Sequence, residues 1–341
     1  MKVDPCLKFC LALVLSLGLC TALAQQRPQY TQYVLNNYLL NPALSGIENY
    51  TDVKIGHRQQ WKGLPGAPQT TFVSANWALG NEYLWSNPLS FEENGEDPRS
   101  RNYQQNYTSS PAHHGMGFTA VIDKAAQLST SSFNLSYAYH LQLNNQLNLA
   151  TGVAAGFTRI GIDVSALQLE NPNDPALKNA IQSQWKPDLS VGLWLYGARF
   201  YTGLAVQQLL PQQLSFTADG NYNQGKQVPH FFLTGGYKFD MGEDFNILPS
   251  VMVKWVSHVP VSVDANFKFG FKDRFWLGGG YRSHDSFQAM AGFNISHLFN
   301  LTYSYDFTTS ELNQASSGSH EVVLGLLLNN VYKVVCPKRM W

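Results

Sequence analysis

From Ser262 to Lys272 apolar and polar residues alternate. Val263, Ala265, Phe267, Phe269 and Phe271 fall on one face, and Ser262, Asp264, Asn266, Lys268, Gly270 and Lys272 on the other. A period of two sustained over about ten residues marks a β-strand with one apolar and one polar face. The same grammar returns where Phe133, Leu135, Tyr137, Tyr139 and Leu141 oppose Asn134, Ser136, Ala138, His140 and Gln142. It returns again where Leu301, Tyr303, Tyr305 and Phe307 oppose Asn300, Thr302, Ser304 and Asp306. Segments of this kind cover 52–61, 70–79, 115–123, 131–143, 146–159, 189–196, 200–207, 229–239, 246–256, 262–271, 275–282, 287–295, 300–307 and 320–328, fourteen in all.

The connections divide by parity. Tight turns at 144–145, 197–198, 241–244, 272–274 and 296–299 follow even-numbered strands, whereas the long connections 160–188, 208–228 and 308–319 follow odd-numbered ones. Short periplasmic turns alternating with long outer loops are the habit of bacterial outer-membrane barrels, whose strand number is even. The stretch 81–114 breaks the rule as a long insertion on the short-turn side, either a periplasmic arm or a sign of a miscounted strand.

Alternation alone also fits a soluble β-sandwich, with its apolar face turned inward. Composition separates the two. Charged residues are 13% of the chain, about half of what soluble domains carry, while aromatics reach 13% and glycines number 27. The 23 basic and 23 acidic residues balance, and no Lys/Arg cluster stands out, so nucleic acid is not expected as a partner. Residues 1–24 read as a signal peptide: Lys2 and Lys8, an apolar run from Phe9 to Leu19, then Ala22-Leu23-Ala24. After its removal Cys336 is the single thiol, which excludes an internal disulfide. The rest of the chain has no apolar run near the ~20 residues of a spanning helix. The expectation is an all-β fold, a transmembrane antiparallel barrel of about 14 strands in the outer membrane. Residues 25–51 form a periplasmic N-terminal segment, 52–328 the barrel with its insertion 81–114, and 329–341 a C-terminal tail.

Several stretches, in this order and spacing, resemble the PorP/SprF family of type IX secretion outer-membrane proteins. They begin with Tyr30, Gln32 and Tyr33, then Asn41, Pro42 and Gly46. Arg58, Gln60 and Trp61 with Gly66 and Pro68 resemble its first hairpin, Asp123 its third strand end, and Tyr281 with Arg282 its eleventh strand. Tyr305, Asp306, Gly318, His320 and Glu321 resemble its closing hairpin. The resemblance implies a barrel that supports secretion, or surface anchoring, of a particular large partner: a secreted type IX substrate or surface adhesin. Further partners it implies are other envelope components of the secretion and gliding machinery of Bacteroidetes, besides the lipid of the membrane itself. The alternative is a passive solute porin.

Candidate chemistry is sparse. His113 and His114 are adjacent and point to opposite faces of any strand, so they do not share an ion; between Pro111 and Gly115 they read as a solvated loop. His320 reads as a strand start. No Gly-x-Ser-x-Gly elbow is present, and no catalytic, cofactor or metal site is expected. Asn171 to Pro175 reads as a proline-bounded turn, and Ala176 to Gln184 as a short helix over the mouth or in the lumen. Lys54, Arg58, Lys254, Asp264, Lys268, Arg282 and Glu321 lie on polar faces. Since Arg or Lys at mid-depth in lipid costs about 2–4 kcal/mol, these must face the lumen, to line a pore or to pair and shut it. An even strand number puts both chain ends on the periplasmic side. A membrane-impermeant maleimide should therefore label Cys336 only after the outer membrane is permeabilised, and labelling in intact cells would reverse the topology.

Overall fold

A computed structural model describes Tyr33 and residues 36–48, 50–80, 109–163, 183–214 and 225–329, apart from 243, 258, 273, 284, 297, 310–313 and 315. Residues 1–24, read as a signal peptide, Tyr30, Gln32, most of the insertion (81–108), 164–182 and the tail 330–341 with Cys336 lie outside the described residues. In chain order the strands are β1 (Thr51–Gln59), β2 (Gln69–Leu79), β3 (His113–Ala125), β4 (Leu128–Asn144), β5 (Leu147–Ile162), β6 (Ser183–Tyr196), β7 (Phe200–Gln207), β8 (Gln212–Leu214), β9 (Gly225–Gln227), β10 (His230–Tyr237), β11 (Phe239–Met241), β12 (Phe245–Val256), β13 (Ser262–Phe271), β14 (Phe275–Arg282), β15 (Ser286–Asn294), β16 (Phe299–Thr308) and β17 (Ser319–Leu328).

Each wall strand pairs antiparallel with its sequence neighbour, and β1 pairs with β17 from Thr51↔Leu328 to Gln59↔His320, which closes the sheet. β8 and β9 pair only with each other, as a small hairpin, and β11 continues β10 along β12. The result is a closed barrel of 14 strands, the number and sequence of segments read from alternation. Closure leaves no edge whose amides would face lipid unpaired.

The sense of the alternation separates barrel from sandwich. Phe267 is 57% exposed and Phe157 58%, while their neighbours Asn266 and Thr158 are at 5% and 1%. Leu135, Leu204, Leu277, Phe287 and Phe307 share the exposed face all round the wall, and Ser74, Ser136, Asn246, Thr302 and Ser304 share the buried one. Apolar side chains point out and polar ones in, the arrangement of a lipid-facing barrel.

Both ends of the wall, Thr51 and Leu328, lie at one end of the barrel, here the terminal end. It carries the turns at 145–146, 197–199, 242–244, 272–274 and 295–298. The 81–114 insertion joins β2 to β3 at this same end without disturbing strand parity, and its last part returns beneath the β4–β5 turn, where the Ser109 amide donates to Asn145 O at 2.8 Å. At the far end β3, β4 and β6 outrun their sequence pattern. β3 and β4 continue to a two-residue turn with Ala126 at φ 50°, the left-handed region. β6 begins at Ser183, which puts Ser183 and Gln184 in a strand rather than a helix. Its first part pairs with β5 alone, β7 joining only from Val191, and that one-sided pairing tolerates Pro187.

Leu135 sits at the middle of β4 facing out, and Asn134 faces the lumen half-buried. Leu135→Arg should destabilise the barrel by about 2–4 kcal/mol, reducing the fast-migrating unboiled band on a denaturing gel, while Asn134→Arg should leave that band in place.

Candidate functional site: the filled lumen

The apolar residues before β1 are not outside the barrel. Tyr33, Tyr38, Leu40, Ala43, Leu44 and Ile47 are all buried, and Ala43, Leu44 and Ser45 are sealed from solvent at 0–1%. The segment expected as a periplasmic extension runs through the lumen instead, because outside it would leave six apolar side chains in water. Inside, it meets a second cluster, Trp194, Tyr196, Tyr201, Phe232, Leu248 and Met252, supplied by inward positions of β6, β7, β10 and β12.

Two 3-10 turns, Asn37–Leu39 and Pro42–Leu44, shape the segment. Asn41 caps the second: its Oδ1 accepts from the Ala43 amide at 3.0 Å, and Pro42 takes the first helical position, where no amide is needed. The same side chain ties the turn to the wall, its Nδ2 donating to the carbonyls of Leu193 (2.9 Å) on β6 and Leu204 (3.1 Å) on β7. Gln207 Nε2 donates to Leu39 O (2.8 Å) and Leu40 O (3.0 Å). Tyr38 and Ser45 hydroxyls both bond Ser136 Oγ, at 2.6 and 2.8 Å. Gly46, at φ 73°, turns the chain toward β1, its amide donating to Asn76 Oδ1 at 3.1 Å.

Two histidines finish this grip. His140 Nε2 donates to Ser45 O at 2.8 Å, so its Nδ1 accepts from Tyr196 Oη at 3.0 Å. His113, stacked on His140 with centroids 4.4 Å apart, lies between the carbonyls of Pro111 (2.8 Å) and Gly46 (3.2 Å). The reading of His113 and His114 as a solvated loop is thereby corrected: they open β3, with His113 inside and His114 outside against Tyr137. Room for the segment comes from missing side chains. A Cβ on Gly152 would lie 2.5 Å from Ala43 Cα, and one on Gly115 would overlap the Ser45 carbonyl.

At its other end Tyr33 Oη accepts from Asn266 Nδ2 (2.6 Å) on β13. Tyr33 thus lies in the far half and Gly46 at the terminal end, beside the first residue of β3. Above the segment is a cavity open to solvent. Tyr33, Tyr38, Leu40 and Pro42 form its floor. Thr119, Asp123, Thr130 and Ser132 line one wall, and Lys254, Asp264 and Arg282 another.

The lumenal charges are paired. Arg58 Nη2 bonds Asp306 Oδ2 at 2.7 Å and Nη1 bonds Glu321 Oε2 at 3.1 Å, all three side chains at 1–3% exposure. Arg58 and Glu321 are direct register partners across the β1–β17 seam. Arg282 Nε bonds Asp264 Oδ2 at 2.9 Å, again between register partners, and Nη1 reaches Asp285 at 3.3 Å. Lys54 pairs with Asp52 at 2.7 Å, and Lys268 lies 5.2 Å over the Trp276 ring.

A model of the type IX secretion system membrane proteins PorP/SprF matches residues 22–326. The chain belongs to the PorP/SprF family. It is an outer-membrane β-barrel of that secretion system's family. A search among curated proteins gave no match. Solved structures with a similar fold include the toluene transporter TbuX of Ralstonia pickettii (10% identity, 86% of this chain and 94% of that one, TM-score 0.48). Others are the outer membrane protein Omp33 of Acinetobacter baumannii (7%, 83% and 100%, 0.45) and a FadL homologue of Pseudomonas aeruginosa (8%, 88% and 94%, 0.42).

The described residues that carry the PorP/SprF resemblance fall into five places. Tyr33, Asn41, Pro42 and Gly46 belong to the lumenal segment, and Arg58, Arg282, Asp306 and Glu321 to the two ion clusters. Asp123 lines the cavity and accepts from Thr70 Oγ1 at 2.6 Å. Gln60, Trp61, Gly66, Pro68 and Gly318 shape the far-end connections: the Gln60 amide donates to Pro68 O, Trp61 N to Ser319 Oγ, and Ala126 N to Gly66 O. Tyr281, Tyr305 and His320 lie outside the lumen, Tyr305 Oη donating to Ser317 O and Tyr303 bonding His320. Sequence reasoning missed Ser45, Asn76, Ser136, His140 and Gln207, which hold the segment. Glycines recurring at inward positions of β3, β5 and β6 were the available signal.

Removing a cation that two sealed carboxylates share costs about 3–5 kcal/mol. Arg58→Met should therefore lower the unfolding midpoint sharply, whereas the triple change Arg58→Met, Asp306→Asn, Glu321→Gln should recover most of it in urea titrations.

Proposed function

We propose that this PorP/SprF barrel is a non-enzymatic subunit that supports delivery or surface anchoring of one large exported protein, and that it does not act as a solute porin. The observation that carries this reading is the occupation of the lumen from Tyr33 to Ile47. A porin needs a continuous aqueous path, and here a segment braced to β2, β3, β4, β6, β7 and β13 crosses the lumen. Such a barrel presents its far-end connections and cavity instead, where specificity varies without disturbing the fold. Short turns at the terminal end put the far end toward the medium.

Two measurements test this. Purified protein in planar bilayers should show almost no conductance, and deleting 33–47 should raise it well above the wild type. Surface proteomics of a deletion strain should show one exported protein missing and small-nutrient uptake unchanged. High wild-type conductance together with slowed growth on limiting nutrients would transfer the assignment to the porin reading.

A further inference from the structure

The lumen already binds a polypeptide. Its wall reads the main chain of the segment through side-chain amides and imidazoles: Gln207 takes two successive carbonyls, His140 takes Ser45 O, and Asn76 takes the Gly46 amide. The same residue types continue into the cavity above. Asn134, Gln208 and Gln227 line it together with the hydroxyls of Thr119, Thr130 and Ser132. The space is open to solvent on one side, as entry of a chain segment requires. Tyr33 and Tyr38 of the lumenal segment line it on the segment's side. Its charges are largely committed, Arg282 and Asp264 to each other and Asp123 to Thr70.

We propose that this cavity is the docking site for an extended polypeptide segment of the exported partner, entering from the far mouth and held by side-chain hydrogen bonds to its main chain. The proposal rests on the functional reading above and names the site and chemistry by which the barrel holds its partner. Main-chain recognition accounts for the hydroxyls and amides that line the cavity beside the Arg282–Asp264 pair, Lys254 and apolar residues such as Val121 and Ile160. A segment seated on Tyr33 and Tyr38 would be continuous with the wall's existing main-chain contacts.

The test uses the full-length protein in its native membrane. Thr119→Trp with Ser132→Trp fills one wall of the cavity, and Gln208→Ala with Gln227→Ala removes two amides without adding bulk. Both variants should keep the unboiled fast-migrating band and lose the same exported protein from the surface that the gene deletion loses. A photo-crosslinking residue at Thr130 should join that same protein through one contiguous stretch, and one at lipid-facing Phe133 should not. If both variants display the partner normally while the deletion loses it, cavity docking is wrong and the functional reading stands. A Thr130 crosslink to saccharide alone, or none at all, also overturns docking. A deletion that leaves every exported protein in place removes the reading and the proposal together.

Discussion

Every main-chain amide and carbonyl in the hydrocarbon layer must find its partner within the protein, and here the sheet meets that demand by closing β1 onto β17. Closure has a second effect. Eight strands enclose a space that wall side chains can fill, and fourteen enclose more than they can. The excess volume has to hold water or protein, and the residues preceding β1 fill part of it. The inward glycines, the bracing side chains and the remaining cavity all follow from that division of the lumen.

The β1–β17 seam brings together the first and last strands, about 270 residues apart along the chain, a costly contact to form by chance. Arg58 sits across that seam from its register partner Glu321, with Asp306 one strand further on. A shift of the seam by one residue would turn Arg58 outward into lipid and separate the three charges. The buried ion cluster is therefore best understood as a registry device, since sealed salt bridges add little net stability against apolar replacements of the same shape. Arg282 and Asp264 do the same for β13 and β14.

The wall was legible in the sequence because lipid imposes a strict period of two: residues 262–271, read as a strand from their alternation, form β13 over that same span. Other boundaries moved where the demand relaxes. Beyond the membrane, β3 and β4 extend through mixed residues such as Ser129 to Ser132, and β6 runs through Pro187 because one side is unpaired there. The lumenal segment was not legible, since 33–48 has neither strand nor helix period and its partners lie scattered from Ser74 to Asn266. β6 held a clue in Leu193-Trp194-Leu195-Tyr196, apolar on both faces. Leu193 faces lipid and Trp194 is sealed at 0%; an aromatic cluster turned inward requires something apolar to pack against.

The lumenal segment precedes β1 in the chain and is held by side chains from strands as far apart around the wall as β4 and β13. Once β1 and β17 have paired, a sequence carrying Tyr33, Tyr38, Leu40 and Leu44 has to be threaded past Trp194 and Tyr201 to reach its place. Before they pair, it needs only to lie down as the sheet curls over it. The geometry thus favours a sheet that winds around the segment as a mandrel over a closed barrel threaded afterwards.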